Sequence, residues 1–369
     1  MAALVVFTSA TFVACNPYLP TRYTAKQLFQ TYAPSTAIVK AGSQTGTGFL
    51  VHQTPYNVYL VTNYHVVIEL LDEENVSLML NVHFFGGQDI FDTNQHSIHI
   101  IGYDEYFDLA VLRIENVTLY KPRVPIRHTN SNPQTAQELL AIGSIDGTSL
   151  SAFGGLMSNP DHILDFGISQ SDAMRPPRYR FVPVYQVSVN LNPGTSGGPV
   201  LDMYGNLVGV SAFQQPFDTE GRPLIGVSFA IPATIAMPLI KHAISNPTGG
   251  AISRMSVYAD SIQSLESTSL GHLRLTRTLD GTYCVQSVSS LSPSGTLGTW
   301  LQADDVLTSI GNTAVAGFTW AQITASFIQY FPRNALSSTL QTEPLSLTFM
   351  RGNQTHTVTI DSFVMQVAT

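Results

Sequence analysis

The chain reads as a series of short apolar runs broken by Gly, Pro, Asn and Asp. From Thr36 the runs follow closely: Thr36–Lys40, Thr47–His52, Val58–Thr62, Ser77–Phe85, Ser97–Gly102, Asp108–Ile114 and Glu138–Ile142. A second set covers Ala152–Met157, Phe181–Val189, Pro199–Met203, Asn206–Phe213 and Ile225–Ile231. Runs of this length, rich in β-branched residues and joined by turns such as Tyr204-Gly205-Asn206, predict antiparallel strands of a sandwich or barrel. The pattern changes at Pro232. Between Ala233 and Ile244 apolar residues recur at helical spacing (Ile235, Met237, Leu239, Ile240, Ala243), with Pro232 at the first turn. Asn246-Pro247-Thr248-Gly249-Gly250 then breaks the chain and sets a domain boundary.

Beyond the boundary a smaller region has its own pattern. Thr282–Val288 predicts a strand, Ser292-Pro293 a short helix, Asp304-Asp305-Val306-Leu307 the entry to a further strand, and Gly311-Asn312 a turn. Phe318 to Tyr330 fits a helix, and Leu345–Arg351, Gly352-Asn353 and Thr355–Ile360 read as a closing hairpin. The reading is mostly β, with the boundaries 1–14 for a leader, 15–34 for an arm, 35–245 for the main domain, 246–256 for a linker and 257–366 for the second domain.

Composition narrows the class. With 369 residues, 44% hydrophobic and 11% charged, the chain has ample material for two cores. A net charge of -8 and no basic run beyond the arginines scattered over Arg175 to Arg180 exclude nucleic acid as the main partner. Two cysteines, Cys15 and Cys284, cannot build a disulfide framework, and no CxxC or His/Cys zinc spacing occurs. His96 and His99 fall on opposite faces of a strand and do not form a metal pair. Met1 to Ala14 is almost wholly apolar or small, as in the hydrophobic part of a secretory leader, although no Lys or Arg precedes it. It ends Phe12-Val13-Ala14-Cys15, which resembles a lipoprotein cleavage box. Export, to the periplasm or outside the cell or lipid-anchored at Cys15, stands against a plain buried strand. Residues 15 to 34, with Pro17, Pro20 and Pro34, read as an extended arm.

The strongest chemical signal is Asn192-Pro193-Gly194-Thr195-Ser196-Gly197-Gly198-Pro199. A serine hydroxyl becomes a nucleophile when it is exposed, fixed in direction and given a base. A glycine-rich turn supplies the exposure, and can aim the backbone N–H groups of Gly194 and Ser196 at one point as an oxyanion hole. Among ten histidines, His65 alone ends an apolar strand after a small polar break, in Thr62-Asn63-Tyr64-His65-Val66-Val67. His52, His83 and His99 read as strand-surface residues. Asp108 opens the apolar strand Leu109-Ala110-Val111-Leu112-Arg113-Ile114 and can orient an imidazole, whereas Asp104 and Glu105 sit in a polar turn. The chain order His65, Asp108, Ser196 is that of the chymotrypsin arrangement.

The stretches Gly46-Thr47-Gly48-Phe49-Leu50, Thr62–Val67, Asp108–Leu112, Asn192–Gly198 and Gly226-Val227-Ser228-Phe229-Ala230-Ile231-Pro232 resemble, in order, the HtrA/Deg branch of trypsin-like serine proteases. The C-terminal region resembles the PDZ domain that follows the protease there, best at Tyr283–Val288 and Leu301–Leu307. The resemblance implies a chymotrypsin-like double six-stranded β-barrel followed by a small α+β PDZ-like domain. It also implies ATP-independent endoproteolysis in protein quality control, no metal or organic cofactor, polypeptide substrates and a homotrimer built through the N-terminal arm.

The departures bear on regulation and specificity. Thr195 stands where this branch favours Asn and where digestive enzymes carry Asp, so a zymogen switch based on that acid cannot operate. Asp161 to Arg180 is long and irregular, and is the expected regulatory segment. Asn190, six residues before Ser196, is expected near the base of the primary specificity pocket. Without an acid there, cleavage after medium apolar residues is expected in preference to Arg or Lys. Val210, Ser211 and Ala212 are expected to pair with the substrate backbone as an added strand. In the PDZ-like region Arg254-Met255-Ser256-Val257 takes the place of a Gly-hydrophobic-Gly carboxylate loop, leaving capture of C-terminal peptides and a packing role both open. Two rivals to the protease stand beside it: a peptide-holding scaffold, and an esterase built on the Gly194–Gly198 pattern.

Overall fold

The computed structural model describes residues 21–360, apart from 72–78, 87–89, 105–106, 118–122, 130–131, 166–180, 215–225, 246–263, 268–270, 279–281, 290–301 and 329–344. The leader, Cys15, the linker and the Arg254–Val257 segment lie outside the described residues. So do residues 166–180 of the expected regulatory segment.

The first half is a seven-stranded antiparallel sheet of β1 (Thr36–Ala41), β2 (Gln44–Gln53), β3 (Asn57–Thr62), β4 (Leu80–Phe84), β5 (Ile90–Asp92), β6 (Ile98–Asp104) and β7 (Leu109–Glu115). The hydrogen-bonded order is β5-β4-β1-β2-β3-β7-β6. The short strand β5 brings the number to seven, one more than the six expected. The second half comprises β8 (Glu138–Ser144), β9 (Leu150–Asp165), β10 (Phe181–Val187), β11 (Pro199–Asp202), β12 (Leu207–Gln214) and β13 (Ser228–Pro232). These six close into a barrel in the order β10-β13-β12-β11-β8-β9. Asp161–Asp165, expected at the start of an irregular loop, instead continue β9 and pair with β10 through the Leu164–Val182 and Asp165–Phe181 partners.

The near-continuous apolar runs of the first sheet follow from burial of both its faces. Ala37 and Val39 of β1, Val58 and Leu60 of β3, and Ala110, Leu112 and Ile114 of β7 line one core. The intervening Ile38, Tyr59, Val61, Leu109 and Val111 belong to a second core shared with Leu140, Ile142, Val200 and Ile231 of the barrel. Successive side chains leave a strand on opposite faces, so each of these strands contributes to both cores. The two halves thereby share one core, and the loops gathered along the junction share one frame.

The arm is not extended along its length. Helix α1 spans Ala25–Tyr32, capped by a reciprocal box in which the Gln27 amide donates to the Thr24 hydroxyl and the Thr24 amide to Gln27 Oε1. Leu28 is fully buried in the shared core. The Tyr23 amide donates to the Met203 carbonyl at 2.7 Å, tying the helix entry to the second barrel. Four-residue α2 (Tyr64–Val67) follows β3, and α3 (Ala233–Ser245) follows β13, burying Ile235, Leu239, Ile240 and Ala243 as its spacing predicts.

The C-terminal region holds β14 (Ser264–Ser267), β15 (Gly271–Arg277), β16 (Tyr283–Ser289), β17 (Val306–Ile310), β18 (Thr313–Ala314), α4 (Trp320–Ile328), β19 (Leu345–Arg351) and β20 (Gln354–Ile360). Its sheet runs β14-β15-β16-β17-β19-β20, with β18 paired to β17. Helix α4 rests on the barrel: Ala321 joins the shared core, and the Trp320 amide donates to Asp161 Oδ1 at 2.8 Å. An aspartate at a helix N-terminus also complements the helix dipole. Among the described residues no helix is long and apolar enough to cross a membrane.

Candidate active site

His65 stands on α2, the single helical turn that starts where β3 reaches the end of the first sheet. Asp108 sits just ahead of β7, the neighbour of β3, so the pairing of these strands sets the two side by side. The His65 backbone amide donates to Asp108 Oδ1 at 2.9 Å, and ring Nδ1 lies 2.8 Å from Oδ2. The carboxylate is almost fully buried, while the imidazole is 34% exposed. Ring Nδ1–H is the donor an ionised carboxylate selects, which leaves Nε2 as the acceptor facing away from Asp108.

Asp108 has φ 53°, in the left-handed region that costs a non-glycine residue energy. Buried Asn63 holds it there, its Nδ2 donating to the Asp108 carbonyl at 2.7 Å. The competitor Asp104 is buried and serves the turn, its Oδ1 accepting the Phe107 amide at 2.8 Å.

The Ser196 turn comes from the barrel side. Gly194 has φ 93°, and a Cβ there would lie 2.6 Å from the carbonyl oxygens of both Ser144 and Ile145. Gly197 has φ 85°, and a Cβ there would lie 2.8 Å from the Asn63 amide nitrogen. Glycine at these two positions is what lets the turn close against the residues leading to His65. The half-buried Ser196 is thus brought from the second half to the same end of the junction as His65 and Asp108.

Rigid peptide planes translate carbonyl contacts into amide directions. The Thr195 carbonyl accepts from the Gly198 amide at 3.0 Å and from the Ser211 hydroxyl. The Ser196 N–H, on the opposite side of that plane, is directed away from these donors. Among the described residues, neither the Gly194 nor the Ser196 amide has an acceptor within the protein. Thr195 is buried, its hydroxyl and amide both donating to the Asn192 carbonyl, at 2.6 and 3.0 Å.

The residues expected to pair with substrate, Val210 to Ala212, lie on β12. Val210 pairs with Pro199 on one side and Ile231 on the other. Ser211 exchanges main-chain bonds with Gly197 and Gly198 and also pairs with Ala230. Barrel closure therefore engages both residues, and Ser211 is buried. Beyond them the register with β13 slips at Ala212 and resumes with Phe213 opposite Phe229 and Gln214 opposite Ser228, whereas the pairing of β12 with β11 ends at Val210. Asn190 is exposed, just past β10. Asn63, Thr47 and the positioning role of Ser211 were not picked out from sequence. The available signal was polar residues embedded in otherwise apolar or glycine-flanked stretches.

The structure thus sets a carboxylate–imidazole pair on one sheet beside a glycine-rich serine turn on a closed six-stranded barrel. The arrangement is similar to that of a trypsin-like peptidase domain, and the family model of that description matches residues 46–210. More particularly, the chain is similar to HtrA and DegP-like serine proteases. It is 28% identical over 282 residues to "Serine protease Do-like HtrA" of Lactococcus lactis subsp. cremoris, covering 75% of this chain and 63% of that protein. It is 31% identical over 200 residues to "Probable periplasmic serine endoprotease DegP-like" of Hahella chejuensis, covering 54% of this chain and 35% of that protein. The chain thus spans less than two thirds of the length of either relative. The solved serine endoprotease from Yersinia pestis is similar at 20% identity and a TM-score of 0.47, over 93% of this chain and 98% of that one.

Proposed function

We propose that this chain is an ATP-independent serine endopeptidase that cuts extended or unfolded polypeptides. The observation that carries the reading is the pair of hydrogen bonds from His65 to the buried Asp108 carboxylate beside the Ser196 turn. In this mechanism His65 Nε2 takes the proton of Ser196 Oγ as the oxygen attacks the scissile carbonyl. The charge that develops on the carbonyl oxygen is met by the amides of Gly194 and Ser196. His65 then gives the proton to the leaving amine, and a water repeats the sequence to release the acyl group. Asp108 stays ionised, fixing the ring and stabilising the imidazolium.

The end of the β11 pairing at Val210, with β12 running on past it, supports a substrate bound as an added strand along Ala212. The lack of an acid at Asn190, the position read as the pocket base, supports cleavage after medium apolar residues such as Val, Ala or Leu. The names of the relatives support an exported protease, the Hahella protein being designated periplasmic. A quality-control role, a homotrimer and capture of C-terminal peptides by the second domain belong to the same reading.

The test is labelling of the purified chain with a fluorophosphonate probe, together with casein digestion. Wild type is expected to be labelled and active, and Ser196→Ala to lose both at unchanged circular dichroism. Equal casein cleavage by a clean Ser196→Ala preparation would remove Ser196 from the mechanism. Labelling without casein cleavage would favour the esterase reading, and absence of labelling the scaffold.

A further inference from the structure

Thr47, on β2 of the first half, is fully buried and reaches across to the second. Its hydroxyl donates to the Gly194 carbonyl at 2.8 Å and accepts from the Ser144 amide at 3.0 Å. Its own amide donates to the Ser196 carbonyl at 2.8 Å. Its carbonyl accepts from the Thr62 hydroxyl at 2.8 Å, three residues ahead of His65. One residue therefore holds the carbonyls of both residues whose amides form the oxyanion hole. It also anchors them to the strand that leads to the general base.

The hydroxyl is the part that β-sheet formation does not explain. A main-chain contact to Ser196 needs no particular side chain, whereas the bond to Gly194 needs a donor at this position. Gly194 has no Cβ to limit its rotation and sits at φ 93°. The Gly194 carbonyl shares its peptide plane with the Thr195 N–H, which donates to the Asn192 carbonyl, so the Thr47 hydroxyl and Asn192 hold the two sides of the plane that leaves the Gly194 Cα. The methyl group has its own seat, since a Cβ at Gly198 would lie 3.3 Å from Thr47 Cγ2. The rotamer that aims the hydroxyl is thus set by packing.

We infer that Thr47 is a positioning residue for the oxyanion hole: its hydroxyl fixes the Gly194–Thr195 peptide, and so the place of the Gly194 Cα from which the oxyanion N–H is presented, and links that place to the docking of the two halves. The inference rests on the peptidase reading above.

Its test compares wild type with Thr47→Val and Thr47→Ser, at concentrations set by fluorophosphonate active-site titration so that misfolded protein does not count. Thr47→Val keeps the shape and removes the donor. Peptide hydrolysis is expected to show kcat reduced by about 10- to 100-fold with KM within a factor of about three, somewhat less than the ~10²–10³ of losing an oxyanion donor outright. Inhibition by a peptide aldehyde, which mimics the tetrahedral state, should weaken by a similar factor. Thr47→Ser restores most of kcat. A role confined to folding would lower the titratable fraction and the melting temperature while leaving kcat per titrated site intact, and that result overturns the inference. So does a Thr47→Ser enzyme as impaired as Thr47→Val. Should wild type fail to label at all, it is the peptidase reading that fails.

Discussion

Asp108 grips His65 twice, one carboxylate oxygen on the backbone amide at 2.9 Å and the other on ring Nδ1 at 2.8 Å. The first bond fixes where the residue starts and the second fixes which way the ring faces. Because the carboxylate is buried, neither bond is diluted by water. Asp108→Asn can still accept from the His65 amide, but its NH2 group then confronts Nδ1 and forces that nitrogen to accept. The ring proton moves to Nε2, where it blocks proton uptake from Ser196. A fall of about 10³- to 10⁴-fold in kcat is expected with the fold retained. Peptide hydrolysis alongside circular dichroism checks it, and a loss below tenfold would take Asp108 out of the triad.

Ser211 exemplifies a side chain acting on the site without touching substrate. Its hydroxyl binds the Thr195 carbonyl and accepts the Gly198 amide at 3.1 Å, bracing the plane that carries the Ser196 N–H. Ser211→Ala is expected to cost about 1–2 kcal/mol of stability, the usual scale for an unmade buried hydrogen bond. It should also lower kcat by roughly tenfold at little change in KM, as a partial loss of oxyanion stabilisation does. Steady-state kinetics decide: a raised KM with kcat preserved would assign Ser211 to substrate binding instead.

The candidate site was legible because each member lies in a short local pattern whose meaning survives without the fold. A glycine-rich serine turn, a histidine ending an apolar strand and an aspartate opening one are such patterns. The two-core alternation in β1, β3 and β7 was legible as strand but not as junction, since an apolar residue looks alike on either face. Helix α1 was missed although Thr24 and Gln27 form a capping box and Leu28 and Tyr32 share a face; the flanking prolines outweighed them. The left-handed Asp108 and the two-sided pairing of Val210 and Ser211 had no sequence signal. Both arise from long-range closure, one through Asn63 and the other through the barrel.

Specificity offers a gain-of-function test. Asn190 is exposed at the end of β10, beside buried Leu191, whose amide donates to Ser228 Oγ at 3.3 Å. If this region forms the base of the primary pocket, a carboxylate here adds a cation site where an apolar one stood. Asn190→Asp is expected to bring in cleavage after Arg and Lys and to reduce cleavage after Val and Leu. A peptide library read by mass spectrometry checks both directions. An unchanged profile would move the pocket base elsewhere.

In the second domain, Asp305 lies just before β17 and Arg351 ends β19, and their side chains meet in a two-pronged pair with both contacts at 2.6 Å. Asp305 also accepts the Gln302 amide at 2.8 Å. The Arg351 hydrogen bonds hold the Asp305 carboxyl below its ordinary range, against the opposing effect of burial. A carboxyl depressed on folding stabilises above its unfolded pKa, about 3.9, and loses that contribution as the pH falls through the lower folded value. Urea unfolding of a Trp300→Phe chain, followed by Trp320 emission, should therefore show this domain weakening below about pH 4. Asp305→Asn strands the guanidinium. Because Arg351 is a third exposed, the cost is expected near 2–3 kcal/mol at pH 7, under the ~3–5 kcal/mol of a fully buried broken pair. The variant should also show a shallower acid dependence than its parent. An equally steep curve in both would mean that the acid sensitivity arises from a different carboxylate.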